Sequence, residues 1–289
     1  MTEDPFVTHR SLLFTVAYEL LGSAADAEDV VQETWLRWAD GSRAEVRDPR
    51  AYLVRIVTRQ ALNRLRTIAR RREEYVGEWL PEPLLTSPDV AEDVELAESV
   101  SMAMLTVLET LAPTERAVFV LREVFDVPYD EIAAAVDKSP AAVRQIAHRS
   151  REHVAARRPR VHVDRAEREQ VVRRFLLALD TGDLQRLLEV LAPDVVVVAD
   201  GGGEATAVRR PIVGREKVAK LLGRFRAIVP HAEVGTLWVN GELTARIDLD
   251  GALDTIVSVE VADGRISRIY AVRNPRKLAR LDEEATLRR

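Results

Sequence analysis

Along this chain, apolar residues first recur every three to four positions and then, past about residue 190, gather in short β-branched runs. The first spacing is helical. Leu13, Val16, Ala17 and Leu20 form one face of a helix over 12–21, which Gly22 stops. Ser23 can cap the next helix, whose inward face is Val30, Val31, Thr34, Trp35 and Trp38. Residues 41–48 are a polar connection, and Asp48-Pro49 opens a third helix with proline near its first position. After a proline-containing stretch the helical pattern resumes at residue 95. Met102, Leu105, Leu108 and Leu111 line one apolar face, and 112–115 break and restart the chain. Further helices are expected over 116–125, 128–136 and 141–157, with a turn at 137–140.

The last third mixes both periods. Val171, Val172, Phe175, Leu176 and Leu179 mark a helix over 165–180, and a second follows from Leu184 to Leu191. Val195 to Val198 reads as a buried strand, Arg215 to about Ile228 as a helix, and 233–239, 243–249, 255–261 and 265–272 as strands. The turns 239–242 and 262–265 have hairpin chemistry. The fold class is therefore multidomain: two all-α helical domains, over 6–75 and 95–158, joined by a linker over 76–94. An α+β domain with a mostly antiparallel sheet follows over 165–289, and curved sheets of that kind form a cone with an internal pocket.

Composition narrows the chemistry. The 289 residues contain no cysteine, which excludes a disulfide framework, a thiolate zinc site and a cysteine nucleophile. No apolar run approaches the roughly 20 residues of a membrane helix. The acidic start, Thr2 to Pro5, lacks the apolar core of a secretory signal, so the expected compartment is the cytosol. The net charge of -5 conceals segregation. Residues 47–72 hold nine arginines and one acid, 79–98 hold six acids and no Lys or Arg, and 139–160 hold six arginines and one acid.

In the third helix Arg55, Arg59, Arg66 and Arg70 fall within an arc of about 60° at 100° per residue. Leu53, Ile56, Val57, Ala61 and Ile68 lie opposite, while Arg64 falls nearer the apolar side. One face packs, and the other offers guanidinium forks suited to phosphates. Residues 128–157 read as a helix-turn-helix. Ile132, Ala133 and Val136 would pack on Val143 and Ile146, Ser139 would cap the second helix, and Arg144, Gln145, His148 and Arg149 would project outward. Arg and Gln are the side chains that read guanine and adenine edges in the major groove. A helical hairpin of an enzyme can imitate this pattern.

Two prolines between Trp79-Leu80 and Leu84 suggest an extended segment docked on another surface, a solvated spacer being the alternative. Asp200, ahead of Gly201, Gly202 and Gly203, suits a tight loop in close contact with a neighbour. It is not a phosphate loop, since no Lys-Ser/Thr follows. Asp200, Asp248, Asp250 and Asp254, with His231 and Tyr270, are the groups a cone-fold enzyme would draw on. For this domain docking or regulation, a small-molecule sensor pocket and catalysis are the three readings.

In Ala24 to Trp38, Asp48 to Leu53, Leu111 to Phe119 and the helix-turn-helix, the chain resembles an extracytoplasmic-function (ECF) sigma factor of bacterial RNA polymerase. Residues 9–75 are similar to its region 2 and 95–157 to its region 4, and 165–289 resemble the SnoaL-like, NTF2-like cone fold. Trp79 to Leu84, Asp200 to Gly203 and Asn274 to Leu278 resemble the signatures of the group that fuses such a domain to a sigma factor, with Arg276 where that group usually has an acid and Asp137 where glycine is usual. The resemblance implies core RNA polymerase (β′ clamp helices and β subunit) and promoter DNA as partners, with no membrane, cofactor, metal or catalytic residue. It places polymerase contacts at Asp29, Gln32, Glu33 and Trp35. It places the reading of the -10 element in the connection 41–48, phosphate contacts along Arg55, Arg59, Arg66 and Arg70, and -35 contacts at Arg144, Gln145, His148 and Arg149, with Arg43, Arg47, Arg50 and Ser139 also binding DNA. Trp79, Leu80, Pro81, Leu84, Asp200, Gly201, Gly202, Gly203, Asn274 and Pro275 would form an interdomain regulatory contact. The cone pocket leaves room for an unidentified small-molecule ligand. A SnoaL-like isomerase or cyclase tethered to a DNA-binding module is the rival reading.

Overall fold

The computed structural model describes residues 4–41, 46–73, 75–157 and 163–289. Helix α1 (Pro5–Leu21) begins where the Asp4 side chain accepts the Phe6 amide, and it ends at Gly22 in the left-handed conformation. Ser23 caps α2 (Ala24–Asp40), and α3 (Pro49–Glu73) follows the polar connection. Leu13, Val16, Val30, Leu53 and Val57 are buried between the three helices.

The helical stretch expected from residue 95 to 111 is two helices, α4 (Val94–Val100) and α5 (Met102–Leu108), the apolar face of Met102, Leu105 and Leu108 lying on the second. Ser101 separates them because its hydroxyl accepts the Met104 amide at 3.2 Å and starts a new helix. α6 (Pro113–Phe119) opens on its proline, then loosens into a π turn over Val120–Val124, so the helix expected over 116–125 is not uniform. α7 (Tyr129–Val136) and α8 (Pro140–Arg157) make the helix-turn-helix. Asp137 takes φ 56° at the turn, Ser139 Oγ accepts the Ala142 amide, and Ile132, Ala133, Val143 and Ile146 are buried between the helices. The two helical units share one apolar cluster, which runs from Leu13 and Val57 through Leu105 and Leu121 to Ile132 and Val143.

The C-terminal domain contains α9 (Arg165–Thr181), α10 (Leu184–Val190), β1 (Leu191–Asp200), β2 (Ile212–Val213), α11 (Arg215–Leu222) and α12 (Phe225–Ile228). Then come β3 (Glu233–Val239), β4 (Glu242–Leu249), β5 (Ala252–Ala262), β6 (Arg265–Val272) and α13 (Pro275–Leu278). The helix expected over 215–228 breaks at Gly223-Arg224. β1 begins before Pro193, which sits at the irregularity between Leu191 and Val196 where a ladder tolerates a missing donor. The sheet order is β2-β1-β6-β5-β4-β3, antiparallel except for the parallel β1–β6 pair.

Both faces of this sheet are covered. One buries Val197, Ile247, Val257 and Ile269 with Val171, Phe175 and Leu179 of α9. The other buries Val239, Ile256, Tyr270 and Val272 against Leu80, Met102 and Leu278. The linker and the helical half are thus part of the domain's second core. The tail after α13 runs back across the helices: Leu287 is buried in the helical cluster and the Arg288 amide donates to Thr15 Oγ1 at 3.0 Å. Among the described residues, no helix is long and apolar enough to cross a membrane, and no group of His, Asp and Glu is placed to hold a metal ion.

Candidate interdomain site and nucleic-acid surfaces

Asp200, at the end of β1, is fully buried and is the centre of the first contact. Its Oδ2 accepts the Leu80 amide at 2.9 Å and the Lys277 ammonium at 2.7 Å. Its Oδ1 accepts the Gly202 amide at 3.0 Å and the Tyr75 hydroxyl. Lys277 also donates to the Leu80 carbonyl, and its ammonium sits 3.3 Å from the centre of the Trp79 ring, which meets Tyr75 edge-on. Asn274 donates to Tyr75 Oη at 2.7 Å while its Oδ1 caps α13. Gly202 has φ 64°, and a Cβ there would lie 2.4 Å from Asn274 Nδ2. Burial, and then the Asp200 carboxylate, raise the Tyr75 phenol above its ordinary range.

Trp79, Leu80, Asp200, Gly201, Gly202, Gly203 and Asn274 are therefore brought together, and Leu80, Pro81 and Leu84 are buried. The segment is docked rather than a solvated spacer. Pro275 is exposed at the first position of α13 and organises that helix only. Arg276, the departure from the group's pattern, points away and pairs with Glu204, while its neighbour Lys277 makes the buried contact.

A second contact lies at the β3–β4 hairpin. Asn240, at φ 55°, exchanges two bonds with Leu84: its amide donates to the Leu84 carbonyl and its Oδ1 accepts the Leu84 amide, both at 2.9 Å. Its Nδ2 donates to Tyr18 Oη of α1 and to the Val100 carbonyl of α4, both at 2.7 Å. Tyr18 Oη in turn donates to the Glu82 carbonyl at 2.7 Å. The Glu82 carboxylate accepts from Ser23 Oγ at 3.0 Å and from the Ala24 amide at 2.9 Å, so a linker acid sits on the N-terminus of α2. Burial raises the Glu82 carboxyl above the ordinary range against these bonds.

A third contact joins the helical units directly. Glu19 of α1 is fully buried and accepts from Ser99 Oγ at 2.8 Å. Arg116 of α6, 2% exposed, donates to the Glu19 carbonyl and to Glu109, both at 2.8 Å. Glu19 Oε2 and Arg116 Nη2 have no hydrogen-bond partner among the described residues. Burial pushes the Glu19 carboxyl up to about 8 and the Arg116 guanidinium down to about 10.

Most of the remaining sequence-predicted residues that the structure describes lie on the surface. Arg144, Gln145, His148 and Arg149 are exposed on one side of α8, and His148 faces Glu152 at 3.6 Å. On α2, Gln32 and Glu33 are exposed, and Trp35, expected inward, stands 37% exposed against Phe6. Asp29 is exposed but paired with Arg64 at 2.7 Å, a guanidinium that also holds Asp26. On α3 the arginine face is partly covered: Arg59 donates to the Ala134 carbonyl at 2.7 Å at the end of α7, and Arg55 lies over the Tyr52 ring. Arg47 and Arg55 line a cleft of about 560 Å³ with Asp48, Tyr52 and Glu131. Arg50 is half-buried and Arg66 is exposed beside Asn63. Arg43, the Arg70 side chain and the connection at 158–162 lie outside the described residues.

The groups considered for catalysis are dispersed. Tyr270 is buried on the linker side of the sheet and bonded to Glu260, Asp254 pairs with Arg273, and Asp248 pairs with Arg246. Sequence reasoning missed Tyr75, Glu82, Asn240 and Lys277. Glu82 and Lys277 stand within the motifs at 79–84 and 274–278 as charged residues beside prolines and leucines, which was the available signal. Asn240 gave only a hairpin signal.

Family profiles match in three places: Sigma-70 region 2 over residues 6–72, Sigma-70 region 4 over 101–154, and a SnoaL-like domain over 172–269. The ECF RNA polymerase sigma factor SigJ of Mycobacterium tuberculosis is 38% identical, with 96% of this chain and 93% of SigJ covered. The probable ECF RNA polymerase sigma factor SigI of the same species is 31% identical over 96% and 94%. The crystal structure of SigJ superposes with a TM-score of 0.77 at 36% identity, covering 95% of this chain and 97% of that one.

Proposed function

Because the chain belongs to the extracytoplasmic-function RNA polymerase sigma factors, we propose that its surfaces divide the labour of promoter-directed initiation among α2, α3 and α8. The carrying observation is that two outward faces of opposite character stand on separate helices: Asp29, Gln32, Glu33 and Trp35 on α2, and Arg144, Gln145, His148 and Arg149 on α8. The first suits the clamp helices of the polymerase β′ subunit, with the β subunit engaging the unit of α4 to α8. The second suits the major groove of the -35 element as duplex. The connection before α3, with Arg47, takes the -10 element together with Arg50 at the start of α3, and the guanidiniums of α3 hold phosphates beside the melted strands.

The C-terminal domain acts here as a docking and regulatory element rather than as a catalyst. Its contacts at Asp200 and Asn240 hold the linker, α1 and α4 in one closed arrangement. In that arrangement Arg59 is occupied by the carbonyl end of α7, so polymerase and DNA engage a form in which these contacts have exchanged. The protein works in the cytoplasm, where its polymerase is.

Run-off transcription with purified core polymerase tests the proposal. The expected result is a defined transcript that depends on this chain. Failure of the chain to associate with core polymerase overturns it.

A further inference from the structure

The C-terminal domain carries a charged surface that its docking contacts do not use. Residues 209–226 contain seven cations and one acid, Glu216. Elsewhere in this domain most helical cations have partners: Arg165 and Arg173 pair with Glu169, Arg168 with Glu242, and Arg186 with Asp183, Arg174 being the exception among the described residues. Within the segment, Arg215 reaches Glu216 and Arg226 reaches Asp180. Arg209, Arg210, Lys217, Lys220 and Arg224 are exposed and have no ion pair or hydrogen bond among the described residues.

The fold gathers four of these, and Arg224 follows two residues past the end of α11. Arg209 and Arg210 lead into β2, the edge strand, and α11 packs on β1 and β2. Lys217 and Lys220, three apart, share one side of α11, with Val218 and Ala219 buried beneath. Leaving these like charges unpaired along the edge and at the end of α11 costs repulsion that an anionic partner relieves. The edge also begins where the arginine helix ends. Arg209 lines the same cleft as Val76 and Gly77, just beyond the end of α3.

We propose that Arg209, Arg210, Lys217, Lys220 and Arg224 form a sequence-independent contact for the DNA backbone, additional to the surfaces of α3 and α8. Phosphates are the fitting partner because exposed cations without a hydrogen-bond framework recognise charge and not sequence. The inference rests on the chain being a DNA-binding sigma factor, and its test separates the two.

The test measures binding of the full chain to a short duplex lacking promoter elements, over a range of salt concentrations. Lys217→Gln/Lys220→Gln/Arg224→Gln should weaken binding roughly tenfold or more and flatten the salt dependence of log K by about 0.9 for each phosphate no longer neutralised. Lys217→Arg/Lys220→Arg, which keeps the charge, should bind like the parent, and the thermal midpoint should be unchanged in both. Unchanged affinity and slope in the triple Gln variant, with binding weakened by Arg144→Ala/Arg149→Ala, overturns the inference alone. No effect from either set overturns the DNA-binding reading and this inference with it. Loss of binding to anionic phosphatidylserine vesicles, with DNA binding intact, overturns it in favour of a lipid surface.

Discussion

Asn240 Nδ2 donates to Tyr18 Oη at 2.7 Å, joining a hairpin of the last domain to the first helix of the chain. The bond is buried, and Asn240 also satisfies both backbone groups of Leu84 and the Val100 carbonyl. One amide therefore answers polar groups from α1, the linker and α4. Its geometry is fixed by the hairpin, since φ 55° at Asn240 and φ 71° at Gly241 set the tip, and asparagine tolerates that conformation better than most residues. Glu82 and Tyr18 extend the network to the start of α2.

Replacing Asn240 by Ala leaves Tyr18 Oη, Leu84 N and Val100 O short of partners and strains the left-handed turn. The expected loss is about 2–4 kcal/mol of stability, from desolvated groups at roughly 1–3 kcal/mol each. Asn240→Gly keeps the backbone freedom and should lose nearly as much, which assigns the loss to the bonds. Chemical denaturation checks both, and a loss confined to the Ala variant contradicts the assignment.

Lys277 is the counter-ion of a carboxylate with no solvent exposure. Lys277→Met keeps the length and apolar contact with Trp79 but leaves Asp200 charged and buried. Removing one partner of such a pair costs about 3–5 kcal/mol. Adding Asp200→Asn to Lys277→Met should recover part of that loss, because the amide no longer needs a cation. Denaturation followed by tryptophan fluorescence reads the effect, and equal stability of the single and double variants contradicts it.

The helices were legible because burial follows period: Leu13, Val16, Leu20, Val30, Leu53 and Val57 all lie inward as their spacing implies. The helix-turn-helix was legible for the same reason, with Asp137 and Ser139 serving as turn and cap. The linker motif and the glycine loop were legible as contact-forming segments, but their partners were not. Asp200 to Leu80 spans 120 residues and Asn240 to Tyr18 spans 222, and no local pattern carries such separations. The occupation of Arg59 by α7 was illegible too, since helical phase shows which side an arginine faces and not what arrives there. Gly223 broke an expected helix because a flexible residue outweighs a continuous helical pattern, and Ser101 divides the stretch from residue 95 because its hydroxyl caps a new helix.

Two carboxyls dominate the pH dependence of the closed form, and Glu82, also raised by burial, adds in the same direction. Burial pushes Glu19 up to about 8 against Ser99 and Arg116, and pushes Glu242 up to about 7, with Arg168 opposing and Glu260 adding to it. Above the ordinary carboxylate range the unfolded chain has released both protons while the native chain keeps them. Stability therefore falls as pH rises from that range and levels off above about 8. Asp254 does not blur the window: burial raises its carboxyl, but bonds from Arg273 and Thr255 outweigh that and hold it low. Denaturation midpoints at about pH 5 and pH 8 should differ in this direction, and Glu19→Gln should narrow the difference. A midpoint that rises with pH contradicts it.

Arg144 and Arg149 project from α8 with no role in packing it, whereas Ser139 starts the helix and Val143 and Ile146 bury its other side. This separation lets recognition be tested apart from folding. Arg144→Ala and Arg149→Ala should each weaken binding to -35 duplex by about 1–3 kcal/mol and relax selectivity at the base pair contacted, with unchanged melting. Ser139→Ala should instead cost about 1 kcal/mol of stability by exposing the Ala142 amide, while base selectivity in the folded fraction persists. Competition binding between matched and mismatched -35 duplexes distinguishes the two. If both arginine variants keep the parent's selectivity, α8 does not read the promoter.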